Sequence, residues 1–268
     1  MPAPGQVPQP SPRSSTVDLW LIATEQVERS ELESLRTVLS AEEQARLEDL
    51  RLAGAQRQFI LSRGCLRHLL SRYTKQPPQA LTFAYGPRGK PALCPHHPGV
   101  TPVFNLSHSG TRLLLGVTVA PNIGAIGVDI ERLRSVRHLP QLCRRYLTTT
   151  EAATVLRLEH PQADHRFLRY WTGKEAWLKA QGLGIADSLQ AIALEIAEGE
   201  ISAALTAIEV AAPAPLTPAM KLYQGPPEAH YTAAIAVQIQ GSSAPVLHLK
   251  QTTPAAIALG LPNPQPTA

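Results

Sequence analysis

The sequence predicts an α+β protein in which helices pack against largely antiparallel sheet. Two observations point there. Apolar runs of strand length are separated by Gly, Pro and Ser turns of hairpin type. A block of helical character followed by several such runs also occurs twice along the chain.

In the first cycle, Val17 to Ala23 reads as a short strand. Glu31 to Tyr73 is helical, with Ser30 and Ser40 as caps and Glu33 and Glu43 three residues after them. Pro77-Pro78 ends it. Leu81 to Tyr85, Val103 to Leu106 and Arg112 to Val119 read as strands. The second cycle opens with a strand over Ala125 to Glu131, then two or three helices within Leu139 to Lys179, interrupted near Pro161. Leu189 to Glu198, Ile201 to Val210, Lys221 to Gln224 and Tyr231 to Gln240 complete it as strands. The expected organisation is a disordered segment over 1–15, an N-terminal half over 16–123, a C-terminal half over 124–250 and a flexible tail over 251–268.

A chain of 268 residues with 44% hydrophobic and 17% charged residues can bury a core. No apolar run approaches the roughly 20 residues of a membrane span, and the Pro-, Gln- and Ser-rich start has no secretion-signal core. The three cysteines, Cys65, Cys94 and Cys143, are widely spaced, which fits a reducing cytoplasmic setting and offers no zinc pair. The net charge of +4 is carried by scattered arginines and favours an acidic partner: nucleic acid, a phosphorylated small molecule or an acidic protein.

Four stretches carry chemistry. In Gly127-Val128-Asp129-Ile130-Glu131, strand alternation sends Asp129 and Glu131 to one face, where two carboxylates repel. A shared divalent cation removes that repulsion, and Mg2+ prefers oxygen ligands; the plain alternative is a solvated strand end. In the run from Phe167 to Gly182, Phe167, Trp171 and Leu178 share a helical arc. Lys174 falls inside it, and Glu175 and Lys179 lie along one edge. A wet i,i+4 pair explains Glu175 and Lys179, but Lys174 on a buried stripe needs a partner or a ligand. Phe104 to Gly110, FNLSHSG, reads as a turn whose Ser107 and His108 can meet an anion or merely cap a hairpin. Tyr85 to Ala92 is a Gly/Pro loop presenting Arg88 and Lys90 without Walker spacing. Arg57, Arg63 and Arg67 add positive charge nearby.

FNLSHSG, then GVDIE, then WTGKEAWLKAQGLG, together with YGPRGKPAL and VDLWLI, resembles the 4'-phosphopantetheinyl transferases, in their larger monomeric branch that activates peptide and polyketide synthetases. The likeness runs from about Val17 to Gln240. It implies a pseudodimer of two similar α+β halves with coenzyme A in the cleft between them. It also implies transfer of the phosphopantetheine arm to a serine of an acidic apo acyl, peptidyl or polyketide carrier protein, with release of adenosine 3',5'-bisphosphate. The expected setting is a cytoplasmic monomer, serving fatty-acid, polyketide or nonribosomal peptide synthesis, without membrane or nucleic acid.

On matching residues, the resemblance makes Asp129, Glu131 and Glu175 the Mg2+ ligands. Glu175 is also the candidate base, and Lys179 stabilises the pyrophosphate. Ser107, His108 and Lys90 would bind the nucleotide end, while Lys174 either touches phosphate or pairs structurally. Trp171 would pack beneath the site. Family members often grip the 3'-phosphate with two lysines on the first helical segment; here those positions are Glu43 and Arg46, which shifts the expected grip to Arg57, Arg63 and His108. Gly173 is unusual inside a helix and suggests close approach by substrate or another helix. The competing readings are a coenzyme A pyrophosphatase on the same cleft and a nucleic-acid-binding protein. The second leaves the three carboxylates unexplained.

Overall fold

The computed structural model describes residues 15–94, 101–183, 189–197, 205–212, 220–241 and 243–260. The N-terminal segment before Ser15, the chain end beyond Gly260, residues 198 and 201–204 of the expected strands, and Gly184 of the helix motif lie outside them.

The first half starts with β1 (Thr16–Ala23), followed by α1 (Arg29–Thr37), α2 (Ala41–Asp49) and α3 (Ala53–Thr74). A short hairpin of β2 (Phe83–Tyr85) and β3 (Pro91–Leu93) precedes β4 (Val103–Ser109) and β5 (Arg112–Thr118). The second half repeats the plan: β6 (Ile123–Arg132), then α4 (Leu139–Tyr146), α5 (Thr149–Leu156) and α6 (Gln162–Gln181). It ends with β7 (Ala193–Glu195), β8 (Thr206–Ala211), β9 (Met220–Gly225) and β10 (Tyr231–Ile239).

The two sheets share one connectivity. β1 pairs antiparallel with β5 and β5 with β4; likewise β6 pairs antiparallel with β10 and β10 with β9. In each half the first strand thus lies beside the last, and the last beside the strand before it. The chain is a pseudodimer by topology. The halves differ at their hairpins: β7 and β8 extend the second sheet through β9, whereas β2 and β3 stand apart as a two-stranded unit.

Three apolar clusters hold this together. Trp20, Leu66, Leu69 and Phe104 anchor the first helices on their sheet, and Phe167, Trp177, Leu194 and Leu222 do so in the second half. The third lies between the sheets, where Leu19 and Leu114 meet Val128, Ile130 and Ile235. Alternation along β6 therefore works as expected: Ile126, Val128 and Ile130 enter the inter-sheet core, which turns Gly127, Asp129 and Glu131 toward α6.

Several local expectations shift. Ser40 caps α2 in a reciprocal capping box with Glu43, but α1 is capped by Glu28 with Glu31, not by Ser30 with Glu33. Ser107 and His108 lie on β4 itself; the turn is at Gly110 and Thr111, with Gly110 at φ +55° and no room for a side chain beside Tyr231. The expected strand from Leu189 begins as a single 3-10 turn.

The largest difference is at the C-terminus. Residues 246–252 form β11 (Val246–Thr252), which pairs parallel with β1 and so joins the first sheet, not the second. Thr253 then caps α7 (Pro254–Ala258), whose Ile257 is 1% exposed within the first helical cluster. The expected flexible tail is thus packed structure through residue 258. The alternation of Leu247 and Leu249 with polar neighbours was too short to stand out beside the Pro- and Thr-rich composition around it. No helix among the described residues is long and apolar enough to cross a membrane.

Candidate active site between the halves

Helix α6 lies directly on β6 because position 127 is glycine. A Cβ there would come within 2.1 Å of the Ala176 carbonyl oxygen and 2.2 Å of the Ala180 nitrogen. This backbone contact brings Glu175 and Lys179 over the β6 face that carries Asp129 and Glu131. Strand β4 closes the other side. Its Asn105 accepts the Val128 N–H at 2.8 Å, Ser107 donates to Asp129 Oδ1 at 2.7 Å and Ser109 donates to Glu131 Oε2 at 2.8 Å. The two halves are stitched together at the site itself.

Three carboxylates thus sit within electrostatic reach of one another. Asp129 is 4% and Glu175 6% exposed, and Glu131 is half-buried. Burial pushes the Glu175 carboxyl up to about 7, with Asp129 and Glu131 adding to the rise and Lys179 opposing it. Glu131 is also raised, by burial and by Asp129. The opposing charge is the Lys179 ammonium, 2.6 Å from Asp129 Oδ1 and 3.1 Å from Ser107 Oγ. Among the described residues no trio of acidic, His or Cys side chains is already drawn together as a metal cage. Yet Asp129 Oδ2 and Glu175 Oε1 are both buried without a hydrogen-bond partner. Such oxygens are costly unless something positive meets them, and hard oxygen donors of this kind suit Mg2+.

A cavity of about 530 Å³ opens beside the carboxylates, lined by Arg46, Phe59, Arg63, Asn105 and His108 among others. A smaller one, about 210 Å³, shares Pro91, Asn105 and Leu106 with it and reaches Lys179. Arg46 and Arg63 both lie over the Phe59 ring, at 5.9 and 5.7 Å, and Arg63 also lies over Tyr85 at 5.4 Å. His108 is exposed at this opening. Partial loss of water around its ring, then the Lys179 charge, lower its pKa, while Asp129 opposes them.

Other expected site residues are placed elsewhere. Arg57 donates to the Thr24 and Val27 carbonyls at 3.4 and 3.3 Å and so holds the β1–α1 connection. Lys174 is 0% exposed and faces α5: Glu151 Oε2 at 2.5 Å and the Tyr146 and Leu189 carbonyls take up its three N–H groups. Of the two roles open to Lys174, the geometry gives structural pairing. Lys90 Nζ is spent on the Ile126, Lys179 and Ala180 carbonyls. A Cβ at Gly173 would come within 2.7 Å of the Leu194 side chain, so the close neighbour there is strand β7 and not another helix. Trp171 packs edge-on against Tyr146 in the helical cluster.

Glu43 is explained as well. It is buried, caps α2 and accepts from Arg67 at 2.6 Å, so that position serves the fold. Arg46, one turn further along α2, was not among the expected binding residues and does line the cavity. Its spacing from Glu43 put it on the same helix, but only the fold shows which of the arginines faces the opening.

Residues 125–234 match the model of the 4'-phosphopantetheinyl transferase superfamily. The chain is 38% identical over 226 residues to the 4'-phosphopantetheinyl transferase HetI of Nostoc sp., covering 84% of this chain and 88% of that protein. It is 25% identical over 138 residues to the 4'-phosphopantetheinyl transferase Sfp of Bacillus subtilis, covering 51% of this chain and 58% of that one. A holo-(acyl-carrier-protein) synthase structure from Bacillus anthracis overlays on 44% of this chain and 98% of its own, with 21% identity and a TM-score of 0.36. By its likeness to the Nostoc protein over most of both sequences, and by a family match that includes Asp129 and Glu131 of β6 and Glu175 of α6, this chain belongs to the 4'-phosphopantetheinyl transferase superfamily.

Proposed function

We propose that Asp129, Glu131 and Glu175 together bind Mg2+, and that the chain uses this site to move the 4'-phosphopantetheine arm of coenzyme A to a serine of an apo carrier protein. The reading is supported above all by the two buried carboxylate oxygens without partners, Asp129 Oδ2 and Glu175 Oε1, while the Lys179 ammonium answers the other Asp129 oxygen, Oδ1. When bound, the ion would neutralise charge on the pyrophosphate as the phosphorus is attacked.

The chain's own groups divide the remaining work. Lys179 supplies a positive charge that exchanges its Asp129 contact for a pyrophosphate oxygen. Glu175, ionised beside the metal, can take a proton from the carrier serine, directly or through a water. The cavity of about 530 Å³ accepts the nucleotide end, with Arg46 and Arg63 braced on Phe59 and His108 at the opening. These three replace the lysine grip as candidates for the 3'-phosphate. Exposed Arg132, Arg134 and Arg137, at the end of β6 and just beyond it, suit an acidic carrier. Both sides of the cleft come from one chain, which supports action as a monomer, and the free cysteines fit the cytoplasm.

The test is incubation with coenzyme A, Mg2+ and a panel of apo-carriers, read by intact mass. A phosphopantetheine mass gain on a carrier, absent with chelator, is the expected result. Glu175→Gln should stay folded and lose about 10²-fold or more of the rate. Release of phosphopantetheine to water with no carrier present would instead identify a pyrophosphatase.

A further inference from the structure

We propose that Lys90 is a positioning residue, which reaches from the nucleotide side of the cleft to fix the end of α6 against β6 and thereby sets where Lys179 points. It sits in the β2–β3 loop of the N-terminal half, and its ammonium crosses to three backbone oxygens of the C-terminal half. These are Ile126 O at 3.0 Å, Lys179 O at 2.6 Å and Ala180 O at 3.1 Å. An ammonium has three N–H groups, so this set uses all of them and leaves none for a phosphate.

The acceptors explain the effect. Lys179 O and Ala180 O belong to the last turn of α6, at the negative end of the helix, and Lys179 O also accepts the Gly182 N–H at 3.2 Å. Ile126 precedes Gly127, the point at which α6 and β6 touch backbone to backbone. One side chain therefore ties the end of the helix to the strand at their closest contact, a single residue from the Lys179 side chain that meets Asp129. No carboxylate pairs with Lys90 among these contacts, and burial draws its pKa down to about 8. Its charge is held by carbonyls and the helix end. The next residue, Pro91, lines both the 530 and 210 Å³ cavities. Filling the nucleotide pocket thus bears directly on the tether.

The kinetic half of the test rests on the transferase reading, and wild-type transfer is its control. The other half, amide exchange at residues 179–183, needs no activity. Lys90→Met keeps the aliphatic stem and removes the donors. It should lower kcat about tenfold or more through misplacement of Lys179, while KM for coenzyme A stays within about threefold. Exchange at the end of α6 should accelerate by about tenfold. A large rise in KM with kcat and exchange unchanged would make Lys90 a phosphate ligand and overturn the proposal. Wild-type values on all three measures would overturn it too. Should Lys90→Met fail to fold, Lys90→Arg retains the charge, but its planar fork cannot converge on the same three oxygens. The same split in milder form is expected, and wild-type kcat and exchange in that variant would count equally against the tether. If wild-type protein itself transfers nothing, the functional reading fails, and the exchange result still decides the tether.

Discussion

Glu175 and Lys174 are neighbours in sequence, yet they meet opposite fates on α6. Glu175 faces two other carboxylates, and its raised pKa has a consequence for stability. Its carboxyl moves from 4.5 to about 7 on folding, so between those values the folded protein binds more protons than the unfolded chain. Stability contributed by the protonated group is therefore present below pH 4.5 and lost as pH rises through about 7, on the order of 3 kcal/mol. Denaturant melts in chelator between pH 5 and 8 should show this fall. Glu175→Gln should flatten it, and an unchanged slope would place the strain on another group. Lys174 has the opposite character, since its charge is answered by Glu151 at 2.5 Å in a fully buried setting. Lys174→Met leaves Glu151 charged and unpaired, which costs about 3–5 kcal/mol. The added change Glu151→Gln should recover part of that loss. Thermal melts of the single and double variants measure it, and additive losses would argue against a coupled pair.

Among the elements, β6 and α6 were the most legible. The alternation of Gly127-Val128-Asp129-Ile130-Glu131 correctly separated a core face from a charged one, because a strand's period of two leaves no other choice. The helix gave a buried stripe but not its neighbours. Sequence spacing showed that Lys174 needed a partner, whereas Glu151 lies 23 residues away on another helix and could not be identified from spacing. Lys90 posed the same difficulty in reverse. A lysine in a Gly/Pro loop reads as a phosphate ligand, and backbone carbonyls of the other half leave no trace in a sequence. Gly127 shows what the joined elements require. With only 2.1 Å between an added Cβ and the Ala176 oxygen, Gly127→Ala must push the helix off the strand. Backbone cannot yield there as a side-chain tip would. We expect a destabilisation of about 2–3 kcal/mol, with a loss of transfer beyond what unfolding explains, since Lys179 and Asp129 are then drawn apart. Activity measured well below the melting transition separates the two effects. Wild-type turnover would mean that the contact is dispensable.

Across the whole molecule, duplication sets the plan and the C-terminus departs from it. The chain finishes the second half at β10 and then returns to the first, laying β11 along β1 from Thr16↔Val246 to Ile22↔Thr252. Lys250 meets Asp18 at 2.7 Å, and Arg72 donates to the Ala256 and Ile257 carbonyls at 3.3 and 3.2 Å. Deleting residues 246–268 would open the β1 edge, remove Ile257 from the first helical cluster and strip Arg72 of these acceptors. Burial of one such isoleucine alone is worth about 1.5–3 kcal/mol, and a bare strand edge invites association. The damage should fall on the N-terminal half, which holds α2, α3 and β4 around the 530 Å³ cavity proposed for the nucleotide end. The truncated chain should therefore melt earlier and tend to aggregate, and KM for coenzyme A should rise more than kcat falls, because the carboxylates and Lys179 belong mainly to β6 and α6. Thermal melts and coenzyme A saturation curves at low temperature decide this. Equal melting with unchanged KM would show that the returning segment merely decorates the first half, and a fall confined to kcat would show that it supports the second half instead.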